Sequence, residues 1–143
     1  MTQDRCNRVL LIEDNPADVF LVREAIRCRP IDCDLEVVET FEGAMDVVKS
    51  GSIPDIDAIL IDLNLRTGSG LDVLNAVRST DGLKKAPIAI LTSSDSPRDR
   101  DAAMQLGADL FIRKPSDLDS FLNDVGSAIA RLLGIAQRSA AAS

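Results

Sequence analysis

The sequence predicts an α/β domain in which a five-stranded parallel sheet is covered by helices on both faces. Apolar runs of strand length alternate with helical patterns along the chain, five of each, and that alternation is the signature of such a sheet. The central run, Ala58-Ile59-Leu60-Ile61-Asp62-Leu63-Asn64-Leu65, is almost continuously apolar, as a strand buried on both faces requires. It delivers one carboxylate, Asp62, toward its far end, where open α/β sheets gather their ligands. At 143 residues the chain has the size of one domain with a full core.

In chain order, Val9-Leu10-Leu11-Ile12 forms the first strand and leads into Glu13-Asp14. Asn15 can cap a helix with Pro16 at its first position, where a missing N–H costs nothing. That helix is expected to reach about Cys28, with Val22, Ala25 and Ile26 on one side. Leu35-Glu36-Val37-Val38-Glu39 alternates only partly, as suits an edge strand with one wetter face. A short helix around Ala44, Val47 and Val48 follows, closed by Lys49-Ser50-Gly51 with Pro54 beyond. After the central strand comes a Gly-punctuated loop, Arg66-Thr67-Gly68-Ser69-Gly70, and then a helix carrying Leu71, Leu74 and Val77 on one face. Pro87-Ile88-Ala89-Ile90-Leu91 is the fourth buried run and ends in Thr92-Ser93-Ser94. Ser96 and Pro97 start the next helix, Arg98-Asp99-Arg100-Asp101 is its solvated first turn, and Gly107 is its stop. Leu110-Phe111-Ile112 is the fifth run and ends in Arg113-Lys114-Pro115. In the last helix Leu118, Phe121, Leu122, Val125, Ile129, Leu132 and Leu133 share one apolar face, with Gly134 as the expected end. The domain is therefore placed at residues 1–134, with 135–143 expected to be a mobile, disordered tail.

The remaining composition excludes several classes of function. Net charge is −7 and there is no long run of Lys or Arg, which disfavours binding to a nucleic-acid backbone and leaves a protein or a cation as partner. No apolar run approaches membrane-spanning length and no signal peptide opens the chain, so a cytoplasmic location is expected. The three cysteines, Cys6, Cys28 and Cys33, include no CxxC pair and read as small apolar residues in a reducing compartment. With no His in the chain, a Ser-His-Asp or Cys-His nucleophile, a His-ligated metal and a phosphohistidine within this chain are all ruled out.

Short connections between alternating strands and helices force right-handed crossovers, so every strand's carboxyl end lies on one rim. That rim collects Glu13, Asp14, Asp62, Thr92 and Lys114. Three converging carboxylates repel one another, and a hard divalent ion resolves the conflict. Mg²⁺ prefers an octahedral shell of oxygens supplied by one or two carboxylates, waters and phosphate, and Asp14 and Asp62 fit as the carboxylates. Lys114 adds a cation that can hold Asp62 and later a phosphoryl oxygen, while Thr92 offers a hydroxyl donor. The chemistry expected is attack of the Asp62 carboxylate on a phosphoryl group to give an acyl phosphate. Taken alone, each residue has a plainer reading: Asp62 as a turn or cap residue, Lys114 as a solvated lysine, Thr92 as a β-branched strand end, Phe111 as core. The convergence of Asp62, Lys114 and Thr92 on one rim favours the functional reading for those three, while for Phe111 core and switch both stay open.

The motifs Leu10-Leu11-Ile12-Glu13-Asp14-Asn15-Pro16, Ile61-Asp62-Leu63-Asn64, Leu91-Thr92-Ser93 and Lys114-Pro115 together resemble those of a two-component response-regulator receiver domain, over residues 7–133. Within that family, Glu13-Asp14-Asn15-Pro16-Ala17-Asp18 and Asp62-Leu63-Asn64-Leu65 look most like the small stand-alone regulators of phytochrome-type histidine kinases. The resemblance implies a flavodoxin-like (βα)5 fold of strand order 2-1-3-4-5. It implies that Asp62 is the phosphoacceptor, that Asp14 binds Mg²⁺ directly, Glu13 mainly through water and Asn64 through its backbone carbonyl, and that Lys114 and Thr92 contact the phosphoryl group. It further implies a cis Lys114-Pro115 peptide and a Thr92–Phe111 switch that repacks the face made by the fourth helix, fifth strand and fifth helix. Phe111 lacks the hydroxyl of a Tyr, so such a switch would work by packing alone. Arg66 departs from the pattern, standing where many receivers have Pro, which is expected to loosen the loop.

The expected function is thus that of a bacterial phosphoprotein in a phosphorelay: a single-domain response regulator, not an enzyme in the usual sense. Its partners would be a histidine kinase and an unidentified downstream protein, with a homodimer suggested by the resemblance. A phosphatase or mutase of the haloacid-dehalogenase type would want an acid where Asn64 stands. A flavin-binding protein of similar topology would not place Glu13-Asp14 where a phosphate must sit. The alternative that remains is a pseudo-receiver, a protein-binding module independent of phosphorylation; it would be expected to have lost one of the acids, Thr92 or Lys114.

Overall fold

The computed structural model describes residues 6–142, with side chains as far as Gly134. The elements are β1 (Asn7–Ile12), α1 (Pro16–Cys28), β2 (Cys33–Val38), α2 (Phe41–Ser50), β3 (Ala58–Ile61), β4 (Asn64–Leu65), β5 (Gly68–Ser69), α3 (Gly70–Arg78), β6 (Ile88–Thr92), α4 (Pro97–Gln105), β7 (Leu110–Arg113) and α5 (Leu118–Ala142). The main sheet is parallel throughout and runs β2-β1-β3-β6-β7, which is the expected 2-1-3-4-5 order among its own five strands.

Alternation along the strands divides the apolar residues between two cores. Leu10, Ile12, Ile59, Ile61, Ile88 and Ile90 face α2, α3 and α4, where Val48, Leu74 and Ala103 meet them. Val9, Leu11, Leu60, Ala89 and Leu91 face α1 and α5, packing on Val22, Ala25, Val125, Ile129 and Leu132. All eleven of these strand residues are fully inaccessible. A buried Leu or Ile contributes ~1.5–3 kcal/mol, so the sheet is held rigidly from both sides.

The helix ends follow the local chemistry of the sequence. Asn15 accepts from the Ala17 N–H at 2.9 Å ahead of Pro16, and the Ser96 hydroxyl accepts from the Asp99 N–H ahead of Pro97. Gly51 and Gly107 take the positive φ expected of helix stops.

Three expectations are corrected. Helix α5 continues past Gly134 to Ala142. Gly134 does not adopt positive φ, and a glycine inside a helix costs only about 1 kcal/mol, which the Ala-rich stretch behind it tolerates. For the side chains of residues 135–143, and for Ser143 altogether, the expected mobile tail lies outside the described residues. The central run also divides: β3 ends at Ile61, because the Asn64 N–H turns back onto Asp62 Oδ1 at 3.1 Å and draws the chain out of the sheet. The following segment is not a loosened loop but an antiparallel hairpin of β4 and β5, paired Asn64 to Ser69 and Leu65 to Gly68. Finally, the Lys114–Pro115 peptide is trans, as are all described peptide bonds. Trans is the lower-energy form of an X–Pro bond by about 0.5–1 kcal/mol, and Lys114 reaches the rim without departing from it.

Candidate functional site

Strand register brings the predicted rim residues together. Ile12 lies opposite Ile61, so the residues that follow each of them, Glu13 and Asp62, emerge side by side; the Asp62 N–H donates to the Ile12 carbonyl at 2.9 Å. Thr92 lies opposite Arg113, and the Lys114 N–H donates to the Thr92 carbonyl at 2.7 Å. Behind them α3 starts at Gly70, where any Cβ would collide with the Asp62 carbonyl oxygen and lie 2.8 Å from Leu63 Cα. Only glycine lets the helix approach the acidic turn this closely.

Glu13, Asp14 and Asp62 each offer a carboxylate oxygen within 4.8 Å of the others. Glu13 and Thr92 are fully buried and Asp62 nearly so. Lys114 Nζ sits among the acids, 2.7 Å from Asp18 Oδ2, 2.9 Å from Glu13 Oε1 and 3.3 Å from Asp62 Oδ2. Its contact with Glu13 Oε1 has ion-pair distance but not hydrogen-bond alignment, which leaves that buried oxygen without a donor. Glu13 Oε2 accepts from the Asn15 N–H at 3.2 Å.

Burial pushes the Glu13 carboxyl up to about 7; the neighbouring Asp62 carboxylate adds to the rise, and Lys114 opposes it. For Lys114, burial alone would lower the pKa, but the hydrogen bond to Asp18, the close ion pair with Glu13 and the charge of Asp62 reverse that and hold it above the ordinary lysine value. The site thus presents a permanent ammonium beside one carboxyl that is reluctant to ionise. Crowded oxygen donors, one of them buried without a donor, suit a hard divalent cation such as Mg²⁺, with Glu13, Asp14 and Asp62 as the residues that would hold it.

Thr92 Oγ1 accepts from Asn64 Nδ2 at 3.3 Å and from the Ser94 N–H at 3.2 Å. In both it is the acceptor, so neither bond uses the hydroxyl proton. Phe111 is half-buried against the α2–α4 core, and the Arg100 guanidinium carbon lies 5.9 Å from its ring centroid. Cys33 plays no part here: burial, with nearby acidic groups adding, pushes its thiol up to about 11.

Residues 9–125 match the response regulator receiver domain family. The chain belongs to that family. Receiver domains are signalling proteins rather than classical enzymes. Among its relatives, the nitrate/nitrite response regulator protein NarP of Escherichia coli (strain K12) is 39% identical over 120 residues, which cover 82% of this chain and 53% of NarP. Response regulator Rcp1 of Synechocystis sp. is 31% identical over 114 residues, covering 77% of this chain and 78% of Rcp1. The receiver chain therefore spans about half the length of NarP. Among solved structures, that of the phosphorylated cyanobacterial phytochrome response regulator RcpA matches with a TM-score of 0.83 at 26% identity, over 90% of this chain and 95% of RcpA. The Mn²⁺-bound form of Rcp1 matches with a TM-score of 0.81 at 28% identity, over 89% and 94% of the two chains.

Two features of this receiver were not anticipated at the sequence level. Asp18, in the first turn of α1, is the nearest partner of Lys114. Its signal was an acid two residues after Pro16, on a helix whose start faces the rim. The second is the Arg66 backbone N–H, which donates to Asp14 Oδ2 at 2.9 Å. A proline at that position could not make this bond, so the departure from the family pattern ties the hairpin to the acids.

Proposed function

We propose that this receiver accepts a phosphoryl group on Asp62 and signals by changing its protein contacts. The observation that carries the reading is the setting of Asp62: a nearly buried carboxylate, 3.3 Å from an ammonium, with two further carboxylates close enough to share a cation. An Asp62 oxygen forms a bond to phosphorus while the bond from phosphorus to the donor breaks, its electron pair leaving with a histidine nitrogen of the partner kinase or with acetate from acetyl phosphate. Lys114 neutralises charge on the transferred oxygens, the Thr92 hydroxyl donates to one of them, and the Asn64 N–H holds the Asp62 carboxylate in place. Asp14, Asp62 and the Asn64 carbonyl, with Glu13 mainly through water, are the groups that would hold Mg²⁺, which would supply the remaining countercharge.

The likeness to RcpA, a phytochrome response regulator, supports a phytochrome-type histidine kinase as donor, and the coverage of most of RcpA and Rcp1 supports a single-domain mode of action. Among the described residues no helix is long and apolar enough to cross a membrane. The output is a rearrangement in which Thr92 moves to the phosphoryl group and Phe111 follows, repacking the face of α4, β7 and α5 toward a downstream protein or a second copy.

The test is incubation with acetyl phosphate and Mg²⁺, read by intact mass. The native chain gains one phosphoryl group, while Asp62→Asn and the chelator-treated native chain gain none. No adduct on the native chain would overturn the reading in favour of a pseudo-receiver, and an adduct formed in chelator would remove the metal from it.

A further inference from the structure

We propose that Asp18 is a positioning residue that competes with the phosphoryl group for Lys114 and so sets how readily Asp62 is loaded; this rests on the phosphoacceptor reading above. The ammonium of Lys114 has three protons and three carboxylate neighbours, and the distances rank them: Asp18 at 2.7 Å, Glu13 at 2.9 Å, Asp62 at 3.3 Å. The lysine is therefore drawn toward α1 and away from the residue that reacts. Asp18 is not one of the three carboxylates whose oxygens converge on the cation position. Its carboxylate holds the lysine instead, so a metal bound to the others would not release that hold.

Two features hold Asp18 in place beside the lysine. It lies in the first turn of α1, where the exposed N–H groups favour a negative charge, and that turn is fixed by the Asn15 cap and Pro16. The pair is also sheltered, with side-chain exposures of 10% for Lys114 and 18% for Asp18. A sheltered pair is screened less than one on the open surface. A phosphoryl group on Asp62 would draw on the same ammonium, and the lysine, held closest by Asp18, must be pulled back from α1 to meet it.

Removing the charge while keeping the shape should therefore favour the phosphoryl state. Asp18→Asn is expected to bind beryllium fluoride, a phosphoryl analogue, about three- to fivefold more tightly in Mg²⁺ than the native chain, with a matching fall in KM for acetyl phosphate and little change in kcat. Asp18→Glu, which restores the charge, should return both values to the native range, and Asp18→Ser provides a second charge-free variant should the Asn form not fold. The side-chain ¹⁵N signal of Lys114 should move in Asp18→Asn and not in a control such as Asp46→Asn on α2. If the native chain binds beryllium fluoride and both charge-free variants bind it equally or more weakly, the inference about Asp18 is overturned and the phosphoacceptor reading stands. If the native chain neither binds it nor takes up phosphoryl from acetyl phosphate, that reading falls and the role of Asp18 with it.

Discussion

Glu13 is the residue whose ionisation the fold resists most visibly. Its carboxyl is pushed from the ordinary 4.5 up to about 7, by burial first and by Asp62 next. A carboxyl with a raised folded pKa holds its proton more tightly in the native state, so the stability it lends is complete below about pH 4.5 and is lost as pH rises through about 7. Each unit of pKa corresponds to about 1.4 kcal/mol, so the effect is of the order of a few kcal/mol. In chelator, the urea midpoint of the native chain is expected to fall between pH 5 and pH 8, and Glu13→Gln should flatten that part of the profile. An identical slope in the two proteins would assign the loss to other groups. At this scale the sequence was informative where residues follow strands: Glu13, Asp14, Asp62, Thr92 and Lys114 all sit at or just beyond a strand end on one rim. It was uninformative for Asp18, whose partner lies 96 positions away, because no local pattern ties a first-turn acid to a distant lysine.

The hairpin of β4 and β5 carries Arg66, the residue at which this receiver departs from the pattern it resembles. Neither Arg66 nor Thr67 at its turn has positive φ, so the turn does not call for glycine at either position. What proline cannot supply is the N–H that Arg66 donates to Asp14. Thr67 adds a second tie, donating its hydroxyl to Glu42 Oε1 at 2.8 Å at the start of α2, and Phe41 closes over Gly68 so tightly that no side chain fits there. Arg66→Pro is therefore expected to cost about 1 kcal/mol in urea unfolding and to weaken Mg²⁺ binding several-fold by calorimetry, because Asp14 loses the bond that orients it. Unchanged Mg²⁺ affinity would show that the hairpin is merely adjacent to the acids. The hairpin was not legible beforehand because two-residue strands fall below the length at which alternation can be detected. The continuation of α5 past Gly134 escaped for another reason: a glycine ends a helix through its φ, which the residue type permits but does not dictate.

Across the whole molecule, stability and chemistry are assigned to different parts of the same strands. The two cores take the alternating apolar residues of β1, β3 and β6, while the residues just beyond β1 and β3 are the crowded acids Glu13, Asp14 and Asp62, whose charges oppose folding when no cation is bound. The alternation of runs made this architecture readable, since a parallel sheet with right-handed crossovers leaves no other place for the polar strand ends. The same arrangement predicts that the receiver's stability depends on metal. A cation that binds the native state alone adds about 2.7 kcal/mol at 100 times its Kd, which for a domain of this size raises Tm by several degrees. Thermal unfolding in Mg²⁺ should therefore lie several degrees above that in chelator. Asp14→Asn should abolish the difference from both directions: it removes a ligand, so Mg²⁺ no longer stabilises, and it removes one of three crowded negative groups, so the metal-free protein unfolds at a higher temperature than the native chain. A variant that lost the Mg²⁺ response yet became less stable in chelator would show that Asp14 supports the fold through its bond from Arg66 more than it burdens it through repulsion.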